Sequence, residues 1–440
     1  MPKIKKAKKS RVQLVKGMKD ILADEQVYWS VIRDKVTEMA KNYGFSRIDT
    51  PVVEFTSLFK RTIGEETDVV SKEMYSFVTQ GGDKLSLRPE NTAGVVRSYI
   101  EHGMLNLPQP VKLFYIGPQF RHDKPQAGRY RQFWQFGFEA IGDEDPVVDA
   151  QMIVMSYSIL KDLGLDVEVQ INSVGDSECR PQYLKVLKQY YQGYKKELCA
   201  DCTKRFTKNT LRLLDCKSKR CKELADEAPQ LVDHLSSDCK NHFMAVLEYL
   251  DEMDIKYNLN PKIVRGLDYY TRTAWEIVES GEKGKLNALG GGGRYDELVA
   301  LLGGRETPGV GFAMGIERVI LSMQEAKTEI DKTKSCDVYV AQLGTEARKK
   351  TLKLFEELIS KGFSVAENMS KKGLKDQLDA ANKRGAKYTL ILGQKEIADD
   401  TILLRDMESG VQEVINFKKI DRELTKRLEA LQVKLAKVKK

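Results

Sequence analysis

Long hydrophobic runs are missing from this 440-residue chain: none approaches the roughly 18 residues that a membrane-spanning helix needs. A spanning helical membrane protein is therefore not expected. The lysine-rich first residues have no apolar core behind them, so no secretory signal is expected either. Cysteine is scarce and odd in number, at seven, which does not suit a paired disulfide framework. Reduced thiols and a cytoplasmic setting are expected. No segment repeats. Neither sign of charge dominates: 72 Lys and Arg stand against 64 Asp and Glu, a net +8. That mild excess permits a polyanionic partner without requiring one. What is present is 41% apolar residues, enough for a sizeable core, on a length that suits roughly two to three domains.

Residues 1–11 carry six basic side chains and almost nothing apolar, and are expected to form a disordered arm. Tyr28, Ile32, Val36, Met39 and Tyr43 recur at helical spacing, and Gly44 closes that helix. Phe45 to Val53 reads as a strand containing Pro51. From there to Ala140 the pattern is strands joined by turns. A helix is expected over 147–164 and a strand over 167–172. A charged, cysteine-bearing helical stretch over about 178–255 looks inserted between two β-rich blocks. Strands resume at Ile263 and Trp275, ahead of the glycine run Gly290 to Gly293. A polar linker is placed at 326–334. A small α/β unit follows over 335–420. A helix or tail over 421–440 carries Leu424, Leu428, Leu431 and Leu435, a short seam suited to docking on its own domain.

Several segments carry chemistry. Phe120-Arg121-His-Asp123 and Arg131-Gln-Phe133-Trp-Gln135-Phe-Gly-Phe-Glu139 flank a Lys-Pro-Gln-Ala-Gly loop, a hairpin signal. Alternation puts Arg121 and Asp123 on one face of the first strand, and Phe133, Gln135 and Glu139 on one face of the second. A guanidinium fork on a rigid strand suits phosphate, and a carboxylate suits an ammonium or imidazole. A hairpin merely presenting charge to solvent would also place any one of these residues, but explains the whole set poorly.

The hairpin resembles motif 2 of the class II aminoacyl-tRNA synthetases. Gly309 to Arg318 resembles their motif 3, and Tyr43 to Glu54 their motif 1. Arg265-Gly-Leu-Asp-Tyr-Tyr270 and Gly291-Gly-Gly-Arg-Tyr-Asp296 resemble the two signatures of the histidyl-tRNA synthetases, and Leu87 to Ala93 resembles a strand-to-helix segment of that family. The likeness runs from about Gly17 to about Phe417.

It implies an α+β class II catalytic core over 12–325, an antiparallel sheet flanked by helices. The helical insertion sits within it, and an α/β anticodon-binding domain follows over 335–420. It also implies ATP-dependent activation of L-histidine, transfer to tRNA(His), Mg2+ with the ATP, and a homodimer. Arg121 would hold the α-phosphate, Asp123 the adenine side, Phe133 the adenine face and Arg318 the γ-phosphate. Glu90, Thr92, Gln135 and Glu139 would bind the amino group. Tyr270 and Tyr295 would read the imidazole, with Tyr269 lining its pocket. Arg265 would neutralise charge building on the α-phosphoryl group; an ion pair with Asp268 is the structural alternative. Asp123 departs from the family, which usually has a glutamate there.

Cys199-Ala-Asp-Cys202, with Cys216 and Cys221, has the paired spacing of a structural zinc site, and free thiols are the other reading. The cluster is expected to lie far from the ATP motifs. Lys371, Lys372, Lys375, Lys383, Arg384 and Lys387 suit phosphate contacts in the C-terminal unit. Two other functions share parts of the pattern. One is the non-catalytic relative that regulates ATP phosphoribosyltransferase, which tends to lose the Arg265 signature and the anticodon domain. The other is a general α/β nucleic-acid-binding protein, which leaves the ordered motifs unexplained.

Overall fold

The computed structural model describes residues 12–65, 67–264, 266–281, 288–330, 336–370 and 373–438, with side chains as far as residue 431. The basic arm expected over 1–11 lies outside the described residues, as do Arg265, Lys371 and Lys372. The chain divides into two compact units between Glu329 and Ile330.

In the first unit, helix α1 (Ala23–Asn42) buries Tyr28, Trp29, Ile32, Val36 and Met39, and the chain leaves it through Gly44 at a φ of +74°. The single strand expected up to Val53 is instead two short ones. Strands β1 (Ser46–Arg47) and β2 (Val53–Phe55) flank Pro51, which has no amide to give a ladder. The next stretch is not all strand and turn. Helix α2 (Thr56–Ile63) precedes β3 (Ser76–Val78) and β4 (Lys84–Leu87), and helix α3 (Thr92–Glu101) follows. The β-prone residues of α2 are overridden by packing: Leu58, Phe59 and Ile63 bury themselves against Val69 and Ala93. Helix α3 starts where it does because the Glu90 carboxylate accepts the amides of Thr92 (2.6 Å) and Ala93 (2.9 Å).

Strands β5 (Val111–Phe120) and β6 (Gln132–Ile141) pair antiparallel in unbroken register. Asp145 caps helix α4 (Pro146–Asp162), which has proline at its first position. After β7 (Val167–Ser173) come α5 (Arg180–Gly193), α6 (Ala200–Lys208), α7 (Lys219–Asp226) and α8 (Ser237–Glu252). The next strand is β8 (Tyr257–Leu259), so the strand expected at Ile263 is displaced toward the N-terminus. Strand β9 (Thr271–Glu279) is followed by β10 (Gly290–Arg294), so the glycine run is itself a central strand. Helix α9 (Leu298–Leu301), β11 (Gly309–Gly315) and α10 (Ile316–Glu325) complete the unit.

One sheet runs β1-β5-β6-β11-β10-β9-β7-β8, parallel only at its two edges. Alternation along β6 decides which side chains do what. Its even residues face the helices: Trp134 meets Trp29 of α1, and Phe138 stacks between Phe114 and Phe312 at 5.7 and 5.1 Å. Its odd residues, Phe133, Gln135 and Glu139, share the opposite face. A small sheet, β2-β4-β3, stands apart.

The second unit holds β12 (Val338–Gln342), α11 (Thr345–Ser360), β13 (Val365–Glu367), α12 (Leu374–Lys383), β14 (Tyr388–Leu392), α13 (Gln394–Ala398), β15 (Thr401–Asp406), β16 (Gln412–Asn416) and α14 (Ile420–Val438). Its mixed sheet runs β13-β12-β14-β15-β16. Ile420, Leu424 and Leu428 of α14 are buried in the core of this unit. Together the two units are the α+β architecture that the motifs imply. Among the described residues, no helix is long and apolar enough to cross a membrane.

Candidate active site

The odd face of β6 forms the floor of a cavity of about 800 Å³. Thr92, Glu90, Arg121, Asp123, Phe133, Gln135, Tyr269, Tyr270, Tyr295 and Arg318 all line it. Residues from six distant parts of the chain thus meet in one concave surface. Arg265 lies outside the described residues, and its neighbours Gly266 and Leu267 are on the wall.

Two of the placements differ from the simple hairpin reading. Arg121 and Asp123 sit beyond the end of β5, not within it. Arg121 is still held in the hairpin by its amide, which donates to the Arg131 carbonyl at 2.9 Å. Its side chain is fixed by a bond from Nε to the Pro89 carbonyl (2.9 Å), and its guanidinium lies 5.4 Å from the Phe133 ring centre. Asp123 is in the loop and pairs with Arg129 at 3.1 Å.

The other difference concerns Glu139, which does not line the cavity and lies buried behind its wall. It accepts the hydroxyls of Tyr295 (2.6 Å) and Thr92 (2.7 Å), with Tyr115 at 3.4 Å. Burial pushes its carboxyl up to about 8, against the pull of those hydroxyls. Space for it exists only because residue 311 is glycine: a Cβ there would fall 1.8 Å from a Glu139 oxygen. Gly309 makes the same allowance for the Tyr295 ring, at 2.4 Å. The glycines of the motif 3 strand are therefore spaces for the acid and phenol that meet beneath the cavity.

The cavity is polarised. At one end Glu90, raised by burial and restrained by two amides, stands with Thr92 and the tyrosines. Tyr269 packs on Tyr270 at 4.8 Å and edge-on to Tyr295 at 6.0 Å. On the other side Arg318 stands close enough to Arg129 and Arg121 to be repelled by both, and Arg121, bonded to Pro89 and acted on by Glu90 and Tyr269, stands between the two groups. Burial lowers Arg121 and Arg318 from the ordinary guanidinium range. Arg318, in the first turn of α10, is steered by bonds to the carbonyls of Ala288 (2.7 Å) and Gly128 (3.4 Å).

Several wall residues escaped sequence reasoning. Tyr115 was visible only as part of an aromatic strand. Glu73 ends the short helical turn Val69–Glu73, which carries no motif. Arg205, Arg212 and Asp215 come from the insertion. Cys199 and Cys216 also reach this cavity, so the cysteine cluster is not remote from the ATP motifs as expected. Behind β10, Arg294 is fully buried and bonds Asp149 through Nε at 2.9 Å, while His242 reaches the same carboxylate at 3.3 Å. Burial alone would raise Asp149, but Arg294 and His242 hold it low. Its role is to brace the sheet under the cavity.

Comparison with known proteins agrees with this architecture. The family profile described as Histidyl-tRNA synthetase matches residues 17–319, and that of the Anticodon binding domain matches 337–427. The Histidine--tRNA ligase of Dehalococcoides mccartyi is 44% identical over 94% of this chain and 100% of its own. The apo histidyl-tRNA synthetase of S. aureus superposes with a TM-score of 0.80 at 35% identity, covering 94% of this chain and all of that one. A protein titled ATP phosphoribosyltransferase regulatory subunit/histidyl-tRNA synthetase, from Bacillus halodurans, has a TM-score of 0.58 at 20% identity, over 86% and 97% of the two chains, a likeness of fold alone. By the profile match over most of its length and the identity to full-length relatives, this chain belongs to the histidyl-tRNA synthetase family.

Proposed function

We infer that the chain is a histidine–tRNA ligase, joining L-histidine to tRNA(His) at the expense of ATP and releasing AMP and pyrophosphate. The carrying observation is the polarised cavity: buried acid, threonine and tyrosines on one side, Arg129 and Arg318 on the other, and Arg121 between them. An amino acid and a nucleoside triphosphate need those two ends at one reacting centre.

In this reading Glu90, Thr92 and Gln135 hold the histidine ammonium, and Tyr270 and Tyr295 read its imidazole, with Tyr269 packing beside them. Glu139 acts from behind, setting the Tyr295 and Thr92 hydroxyls. ATP stacks its adenine on Phe133, with Asp123 on the adenine side. Its α-phosphate lies on Arg121 and its γ-phosphate on Arg318. The histidine carboxylate then attacks the α-phosphorus and pyrophosphate leaves. Charge grows on the α-phosphoryl oxygens, and the guanidinium groups of Arg121, held by Pro89, and of Arg265 stabilise it without moving a proton. A ribose hydroxyl at the tRNA 3′ end next attacks the adenylate carbonyl and AMP departs, a step that depends on positioning. Mg2+, when bound with the ATP, would supply charge neutralisation at its phosphates. Glu73, Glu276 and Asp123 are among the carboxylates on the wall near the arginines, and their hard oxygen donors would suit that ion. The four-cysteine cluster takes no part in these steps.

The C-terminal unit supplies the anticodon contacts, with Lys375, Lys383 and Arg384 as candidate phosphate partners. Lys387 is engaged with Asp337 at 2.8 Å. A matched anticodon-binding domain weighs against the regulatory-subunit reading. A homodimer working in the cytoplasm completes the proposal. It is supported by exposed Phe55 and Phe77, which flank Leu85 on one face of the small sheet. Histidine-dependent exchange of pyrophosphate into ATP is the test: a folded, ATP-binding protein that shows none would refute the ligase reading.

A further inference from the structure

The four cysteines of the insertion come together from three segments: the start of α6, the turn before α7, and α7 itself. All four sulfur atoms lie within 4.8 Å of one another. The Cys199 and Cys216 sulfurs are 3.8 Å apart. A tetrahedral zinc with Zn–S bonds of about 2.3 Å has sulfur–sulfur edges of about 3.8 Å. A disulfide would need about 2.05 Å, and all seven cysteines are free thiols.

Backbone donors and a cation stand near the sulfurs, although burial pushes the Cys202 and Cys216 thiols up. The Cys199 sulfur caps α6 and accepts the Cys202 amide at 3.5 Å, and the Cys221 sulfur accepts the Cys199 amide at 3.3 Å. Arg205 is close enough to feel Cys202 and Cys216. Cys202 and Cys221 are fully buried, while Cys199 and Cys216 are half-buried. Cys202 and Cys221 belong to an apolar cluster with Leu198, Phe206, Leu213 and Leu224, and Cys199 and Cys216 pack against its edge, so water has little access to the sulfurs.

A second group, Asp176, Cys179 and Cys239, sharpens the contrast. It has three members, and Asp176 already accepts the amides of Glu178 and Cys179 and the Cys239 thiol at 2.9 Å. That group is accounted for by hydrogen bonding.

We propose that Cys199, Cys202, Cys216 and Cys221 bind one structural zinc ion, which pins the insertion's wall of the substrate cavity. The same few residues that hold the metal also carry that wall. Cys199 and Cys216 are on it, Asp215, Lys217 and Ser218 adjoin Cys216, and Arg205 lies one helical turn after Cys202. Arg205 then bridges to Asp68 at 2.8 Å, next to the Val69–Glu73 turn whose Glu73 acts on Arg121. The metal would add a cross-link between α6, the turn before α7 and α7 at the edge of this apolar cluster. Its binding displaces thiol protons, so affinity falls as pH is lowered. The metal site stands independently of the ligase reading; only its effect on substrate KM rests on it.

The full chain, purified without chelator, is assayed for zinc by mass spectrometry and reloaded with Co2+ after zinc removal. The expected result is about one zinc per chain and the intense visible bands of tetrahedral cobalt thiolate. The double variant Cys199→Ser/Cys216→Ser, confirmed folded by circular dichroism, loses both, while Cys239→Ser keeps both. Zinc removal also lowers the melting temperature and raises substrate KM in pyrophosphate exchange. Less than about half an equivalent of zinc, before and after zinc is re-added, overturns the proposal. So does zinc that survives the double variant or departs with Cys239→Ser. If the double variant fails to fold, the cobalt spectrum of the unmutated chain decides alone: no thiolate bands overturns the site.

Discussion

Tyr295 gives its phenolic hydroxyl to Glu139 at 2.6 Å across 156 residues of sequence, joining the glycine-rich signature strand to the hairpin strand beneath the cavity. Through it a buried acid behind the wall fixes the hydroxyl of a residue that lines the cavity. Thr92 ends on the same carboxylate, so one group sets hydroxyls on two walls.

Glu139 also makes a pH prediction. Its folded pKa is raised from the ordinary carboxylate value to about 8. The native state therefore keeps a proton that the unfolded chain releases. The contribution is whole below the unfolded value and falls as pH rises from there through about 8. Glu139→Gln is expected to flatten that decline, read as the difference in urea midpoints between variant and parent at pH 5.5 and 8. The difference is the right readout because Glu317, raised to about 7 by burial, slopes the same way in both proteins. The same variant should raise the histidine KM about tenfold or more, since the amide NH2 replaces one of the two oxygens that take the Tyr295 and Thr92 hydroxyls.

Arg294 is fully buried against Asp149. Arg294→Met leaves Asp149 with only His242, an uncompensated charge in the core, and should cost about 3–5 kcal/mol of stability. Chemical denaturation measures it. A loss within the range of an ordinary surface change would mean that the pair does not brace the sheet.

Arg318 is steered to the cavity by the carbonyls of Gly128 and Ala288. Arg318→Ala should raise the KM for ATP roughly 30-fold, the equivalent of about 2 kcal/mol for a charge-assisted contact, and leave the histidine KM near its parent value. Equal effects on both substrates would remove the γ-phosphate assignment.

The exposed apolar face of the small sheet predicts association. The pair Phe55→Asp/Phe77→Asp should convert a dimer into a monomer in sedimentation at micromolar concentration, with the fold intact by circular dichroism. A parent chain that sediments as a monomer contradicts the homodimer.

Much of this site was legible because it is local. The hairpin announces itself through two β-prone runs and a Pro–Gly loop, and alternation correctly groups Phe133, Gln135 and Glu139. Alternation does not say how deep each residue lies, and so it left Glu139 in the cavity rather than behind it. Depth depends on Gly311, which is 172 residues away and leaves the room. The helix α2 was read as strand because its threonines, phenylalanine and isoleucine lean that way, and only burial against Val69 and Ala93 decides otherwise. Four successive glycines carry no side-chain pattern at all, so β10 is strand only through its two neighbours. Likewise, distance along the chain kept Cys199 and Cys216 apart from the ATP motifs until the insertion was seen to fold over them.

Histidine-dependent pyrophosphate–ATP exchange tests the central claim most directly, run on the intact chain and on Arg265→Ala. The account requires exchange that depends on L-histidine, and a fall of roughly a hundredfold or more in kcat in the variant, corresponding to about 3 kcal/mol of lost transition-state stabilisation. Absence of exchange in a folded chain that binds ATP, or an Arg265→Ala variant as fast as its parent, would contradict it.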